Sequence, residues 1–333
     1  MVHLLDPLTI GKITLANRLV FPPMATAKAN EDGSVNQGII DYYAEKSAGG
    51  YIGLVILEHS YISLAGKASP FQLSLADDQN IAGLRQIAKV IQGNGSKAVV
   101  QLNHAGSATT VSITGREVMG PSMITNRRKG IITRVMSKFD IESVIDDFAA
   151  AAARVKDAGF DGVEIHSAHG YLLNQFLSPL TNRRNDDYGG DLNQRIHIHL
   201  AVLQAVRQAV GEDFPVLLRL GACDYLEGGT TPEEGVQAAL AFEKAGVDIL
   251  DISGGMCGYT LAGDDGQGYF SPLSKAIKSN VCIPVILTGG IKEAQAAEAL
   301  LLDEAADLIG VGRAIFSDSY WTANQLGKIN NRM

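Results

Sequence analysis

Eight short apolar runs, spread along the whole chain and separated by amphipathic helical patterns, constrain this sequence more than any other feature. They fall at residues 19–24, 53–58, 98–102, 162–166, 216–220, 249–252, 285–288 and 308–311. Most lack polar alternation, as parallel strands covered on both faces do. Helix-period faces recur between them: Ile81, Leu84, Ala88 and Ile91 mark one, and Val144, Ile145, Phe148, Ala152 and Val155 another. Thr231-Pro232-Glu233-Glu234 reads as a helix start, with Thr231 as cap, Pro232 in the first turn and Glu234 closing a capping box. Eight β–α units in one chain predict an α/β fold closed into a (β/α)8 barrel rather than an open sheet. The alternative, a doubly wound dinucleotide fold, lacks its glycine fingerprint: the Gly310-Val311-Gly312 segment has two glycines and no third.

The chain has 333 residues, 46% of them hydrophobic, enough for one large core, and no composition break divides it. A single domain over residues 1–333 is expected. LTIGKITLAN, ahead of the first run, looks like a hairpin closing the bottom of the barrel. Two long excursions, at residues 103–140 and 172–191, follow the third and fourth strands, and loops of that length in a compact domain are usually functional. A net charge of −8 argues against a nucleic-acid partner. The basic run Arg127, Arg128, Lys129 reads as a solvated loop face, or more weakly as a site for a phosphate-bearing substrate. Cys223, Cys257 and Cys282 are scattered without CxxC spacing, which points to a reducing compartment. Neither a basic leader nor a membrane-length apolar run is visible, so a cytoplasmic protein is expected, with a homo-oligomer left open.

Chemistry in such a barrel gathers at the C-terminal ends of its strands. Reading those ends gives Pro23, Met24, Ala25, Thr26, Glu58, His59, Gln101, His166, Arg219, Ser253, Gly254, Gly289, Gly290, Gly312 and Arg313. Glycine turns after the last two strands, a helix start and Arg313 suit an anionic group, at the position where barrels often hold phosphate; two tight turns and a solvated arginine are the plain alternative. Arg219 offers a fixed cation to a reduced ring or to a structural ion pair. Gln101 offers an amide to a pyrimidine-like edge or to a neighbouring loop. The most informative stretch is EIHSAHGYLLNQFLSP, residues 164–179. His166, His169 and Tyr171 at one strand end suit gripping a carbonyl oxygen and delivering a proton nearby, which favours reduction of a polarised double bond over hydrolysis. A metal site would need a third protein ligand, and the helical HExxH arrangement is missing, so no metal ligand is assigned.

With these residues together, the chain resembles the old yellow enzyme family of FMN-dependent ene-reductases. The likeness rests on HSAHGYLLNQFLSPLTNRRNDDYGG, PPMAT, QLNHAG and ADLIGVGRAIFSD, in that family's order. It implies a TIM barrel with FMN at its mouth and NADH or NADPH as reductant. Gly289, Gly290, Gly312 and Arg313 would hold the phosphate. Gln101 and Arg219 would contact the flavin ring, beside backbone of the PPMAT and Glu58-His59 segments. His166 and His169 would bind the activating oxygen of a small-molecule activated alkene, an α,β-unsaturated carbonyl or nitro compound, and Tyr171 would be the proton donor.

Two positions depart from the family pattern. Ala25 stands where relatives often have Thr or Cys and offers the flavin no such side chain; Thr26 follows, but strand alternation turns it elsewhere. Ser107 stands where many relatives have Arg. Four readings compete. They are an ene-reductase standing alone or as the barrel of a longer dienoyl-CoA-reductase-like enzyme, an FMN barrel reducing uridine in tRNA, a flavin- or phosphate-binding barrel without this activity, and a metal-dependent lyase or hydrolase. The acidic charge and the absence of a cysteine proton donor oppose the second.

Overall fold

A computed structural model describes residues 2–126 and 129–330, so Arg127 and Arg128 of the basic run lie outside the described residues. Eight parallel strands close into one barrel: β1 (Leu19–Phe21), β2 (Leu54–Tyr61), β3 (Lys97–Asn103), β4 (Gly162–Ser167), β5 (Val216–Cys223), β6 (Ile249–Gly254), β7 (Val285–Thr288) and β8 (Leu308–Gly310). They run in chain order around the ring. β8 pairs with β1, so the circle is complete. Helices alternate with them: α1 (Gln37–Ser47), α2 (Ile81–Gly93), α3 (Lys138–Asp157), α4 (His197–Val210), α5 (Pro232–Lys244), α6 (Ser271–Lys278), α7 (Ala294–Leu302) and, after a short helix at Arg313–Ser317, α8 (Trp321–Asn330). The expected (β/α)8 barrel is the observed fold.

The helices form where their apolar stripes meet the strands. α2 buries Leu84, Ile87, Ala88 and Ile91, spaced as one helical face. α5 begins with the expected capping box, in which the Thr231 hydroxyl accepts from Glu234 N–H while the Glu234 carboxylate accepts from Thr231 N–H. Between strands and helices lies the main core, with Phe21, Phe148, Phe176, Phe242 and Phe270 all buried. A second, smaller core fills the barrel's lower end. The hairpin strands Leu8–Ile10 and Ile13–Leu15 lay Ile10, Ile13 and Leu15 against Val20, Leu54, Ile56, Val99, Leu217, Ile249, Ile286 and Leu308, seven of the eight strands. The hairpin therefore plugs the bottom, as its position ahead of β1 suggested.

Strand ends differ from the sequence expectation, with consequences for the site. β1 stops at Phe21 because Pro22 and Pro23 cannot donate to a ladder. β2, β3 and β5 instead run on past their apolar cores, to Tyr61, Asn103 and Cys223. Glu58, His59, Gln101 and Arg219 thus lie inside strands rather than at their ends. The register of β2 against β3 shifts between Leu57 and Ser60, a bulge that falls on Glu58 and His59. The long excursions are not structureless either. Residues 103–140 carry the helix Val111–Thr114 and two small sheets, and residues 172–191 open with the helix Leu172–Leu177. Among the described residues, no helix is long and apolar enough to cross a membrane.

Candidate active site

A cavity of about 520 Å³ opens at the C-terminal ends of the strands. That lies within the range of small-molecule and cofactor pockets. Pro23, Met24, Ala25, His59, Gln101, His166, His169, Tyr171, Arg219, Ser253, Gly289, Gly290, Gly312 and Arg313 all line it. Thr26 and Gly254 stand apart from its wall. Thr26 donates from N–H and Oγ1 to the Glu58 carboxylate, at 2.8 and 2.9 Å. Gly254 supplies a backbone carbonyl that accepts from His169 N–H.

One end of the cavity is a cradle of backbone. Gly290 has φ +66°, and a Cβ there would meet the Gly266 carbonyl oxygen and the Tyr269 ring at 2.7 Å. A Cβ on Gly312 would meet the Met24 sulfur at 2.9 Å. Glycine is required at Gly290 by both φ and space, whereas at Gly312 a Cβ would make the Met24 side chain shift, so both turns present little but backbone beside Arg313. Arg313 Nη2 donates to the Tyr269 hydroxyl at 3.3 Å.

The barrel's upper layer forms a polar floor. Gln101 Nε2 donates to Glu164 Oε1 at 2.7 Å, and Arg219 Nε lies 3.2 Å from Asp251 Oδ2. All four side chains are buried. Burial pushes the Asp251 carboxyl up to about 6 against the pull of Arg219. Burial, with repulsion from Asp251, holds Glu164 well above the ordinary carboxylate range. The floor thus sets one fixed cation beneath the cavity beside two carboxyls that resist ionisation.

His166, His169 and Tyr171 form one wall. The His166 and His169 rings meet edge-on, with centroids 5.1 Å apart, and Tyr171 lies 5.0 Å from His166. His166 is buried, and its Nδ1 has no hydrogen-bond partner among the described residues. Burial holds its pKa well below the ordinary value, and His169, Arg219 and His59 push the same way. The ring is neutral and keeps one N–H to donate. His169 sits at φ +60°, a left-handed conformation that costs a residue other than glycine about 1–3 kcal/mol. Its N–H bonds Gly254 O at 3.3 Å, and its Nε2 lies 2.7 Å from Ser253 Oγ.

Behind this wall stand two residues that the sequence did not single out. Asn174 Oδ1 accepts from Gly170 N–H at 2.7 Å, and Gln175 Nε2 donates to the carbonyls of Gly170 and Ala105. Both lie inside the stretch already marked, so proximity to the histidines was the available signal. Tyr259, Tyr269 and Phe316 also line the cavity from loops and a short helix. No periodicity marks them. Ser107 faces away from any cation role: its N–H donates to Gln175 Oε1, and its hydroxyl accepts from Asn126 Nδ2.

Comparison with known proteins gives a consistent pattern. The model of the NADH:flavin oxidoreductase / NADH oxidase family matches residues 3–330. The chain is 42% identical to an NADH oxidase of Thermoanaerobacter brockii, over 94% of this chain and 49% of that protein. It is 36% identical to an NADPH dehydrogenase of Listeria monocytogenes serotype 4a, over 98% of this chain and 96% of the relative. The chain thus spans about half the length of the first of these and nearly all of the second. Among solved structures, the old yellow enzyme homologue from Zymomonas mobilis superposes with a TM-score of 0.86 at 26% identity, covering 98% of this chain and 93% of that one.

Proposed function

This chain belongs to the NADH:flavin oxidoreductase / NADH oxidase family, and from that premise we propose that it reduces the activated C=C bond of α,β-unsaturated carbonyl or nitro compounds. The observation that carries the reading is one cavity lined both by the glycine cradle with Arg313 and by the His166, His169 and Tyr171 rings. The residues fit FMN. Gly289, Gly290, Gly312 and Arg313 offer room and charge to its phosphate, and Gln101 and Arg219 offer polar groups to its ring. Bound FMN would supply the hydride chemistry that links NADH or NADPH to the alkene's β-carbon.

The chain's own groups do the rest. His166 and His169 donate hydrogen bonds to the substrate's carbonyl or nitro oxygen, where negative charge develops as hydride arrives. His166 does so as a neutral donor, so its bond strengthens with that charge instead of forming an ion pair with the resting substrate. Tyr171 gives its hydroxyl proton to the α-carbon. Tyr171→Phe should leave anaerobic flavin reduction by NAD(P)H nearly intact and slow enone reduction by about 10²–10⁴-fold. Nitroalkenes, whose reduced anion is stable, should suffer less. Stopped-flow measurement of the two half-reactions decides it: equal slowing of both would make Tyr171 a residue that positions the ring or the loop, and slowing of neither would make it a packing residue outside the mechanism.

A second reading makes this the barrel of a longer, dienoyl-CoA-reductase-like enzyme. The half-length match to the Thermoanaerobacter protein favours it, and the near full-length match to the Listeria protein favours a self-sufficient barrel. Enone reduction by the purified chain with NAD(P)H alone distinguishes the two.

A further inference from the structure

His59 lines the cavity, yet the scheme above gives its side chain no part. Its surroundings determine which ring nitrogen carries hydrogen. Gln72 Oε1 accepts from Ala68 N–H at 2.7 Å, which fixes the orientation of the Gln72 amide. Gln72 Nε2 then donates to His59 Nδ1 at 2.7 Å and to the His59 carbonyl at 2.9 Å. Gln72 is buried, so water does not compete for these bonds. Nδ1 is therefore an acceptor, and the ring hydrogen sits on Nε2. Burial also drives the His59 pKa down to about 4, so Nδ1 stays unprotonated at neutral pH. Nε2 lies 3.4 Å from the Tyr171 hydroxyl oxygen, with ring centroids 5.3 Å apart. Catalytic bonds are often long before a ligand tightens the site.

We propose that His59 is a positioning residue for Tyr171, its Gln72-locked Nε2–H donating to the phenolic oxygen and stabilising the phenolate left when Tyr171 gives up its proton. The proposal rests on Tyr171 as the proton donor. As the Tyr171 O–H bond breaks, the proton goes to the substrate α-carbon and the electron pair stays on the phenolic oxygen. Hydride reaches the β-carbon from the reduced flavin, and water restores the phenol between turnovers. A donor to the phenolic oxygen favours phenolate over phenol and so makes Tyr171 a stronger acid. Among the described residues, His166, 5.0 Å away, and His169 beyond it also face Tyr171, and Arg219 is a cation acting on His59 and His166. His166 is held neutral, and His59 stands as an uncharged, oriented donor beside the phenol.

The test is a titration of Tyr171 itself in the FMN-bound enzyme, read as ultraviolet phenolate absorbance with the Tyr171→Phe holoenzyme subtracted. His59→Phe keeps a ring and removes the donor. It should weaken Tyr171 as an acid by about ten- to a hundredfold and move the alkaline limb of the oxidative half-reaction upward equally. Gln72→Leu, which frees the tautomer, should shift both in the same direction by less, and His59→Gln, which keeps an N–H, should recover part of the loss. A Tyr171 midpoint that stays put in both His59→Phe and Gln72→Leu overturns the proposal, whatever Tyr171→Phe does to turnover. A Tyr171→Phe enzyme that reduces enones at the wild-type rate overturns the proton-donor reading on which it rests.

Discussion

His166 owes its chemistry to its address. A histidine in water is half protonated near neutrality, but this one ends a buried strand beside Arg219 and two more histidines, so it stays neutral. With His169 it forms a donor pair suited to an oxygen that is anionic or becoming so. Phenols should therefore bind over the flavin and produce a long-wavelength charge-transfer band. Truncating either histidine to alanine should weaken that binding by about 1–3 kcal/mol, read from titration of the band. A phenol that binds both variants as tightly as the parent would remove the pair from the oxygen site. These residues were legible in the sequence because a polar side chain ending an apolar strand has few structural uses. Gln72 was not. It reaches His59 across thirteen residues of irregular chain, where no period exists to read. Thr26 counts among the strand-end residues but is turned away from the flavin by alternation, and it stands off the cavity wall, tying down Glu58.

At the level of elements, the β7 and β8 turns carry the most weight. Their glycines open a backbone wall, and Arg313 contributes the side-chain charge beside it. Arg313→Ala should loosen FMN by about 1.5–3 kcal/mol, the usual worth of a hydrogen bond to a charged group. Equilibrium dialysis followed by flavin fluorescence measures it, and unchanged retention would take Arg313 out of the phosphate site. The strands themselves were readable from their apolar cores, and β7 was delimited to the residue. Their ends were less so, since β2, β3 and β5 continue as long as a neighbour's backbone offers ladder partners, whatever their side chains. Two-residue ladders such as Thr125–Asn126 with Ile131–Ile132 are too short to leave any pattern.

Over the whole molecule, buried ionisable groups set how stability follows pH. His199 is buried against Phe242, with its Nε2 2.8 Å from Ser167 Oγ, and burial drives its pKa down to about 3. Below about pH 6.5 the unfolded chain binds a proton at this residue that the folded chain refuses, so acidification favours unfolding down to the folded value. Glu58 and Asp251, raised by burial to about 7 and about 6, act in the opposite sense: the folded chain keeps protons that the unfolded chain has lost, and stability falls as pH rises through that window. His199→Gln should remove only the first effect. Its stability loss between about pH 7 and about pH 5 should be smaller than the parent's by about 2 kcal/mol, read from urea unfolding. An unchanged difference would show that His199 titrates normally. The apolar hairpin beneath the barrel has a wider consequence. It packs the lower end of the barrel, so on the proposed function electron donor and electron acceptor would both use the cavity at the upper end. Each would then be a rival of the other, and an excess of either should stall the traffic it is meant to feed.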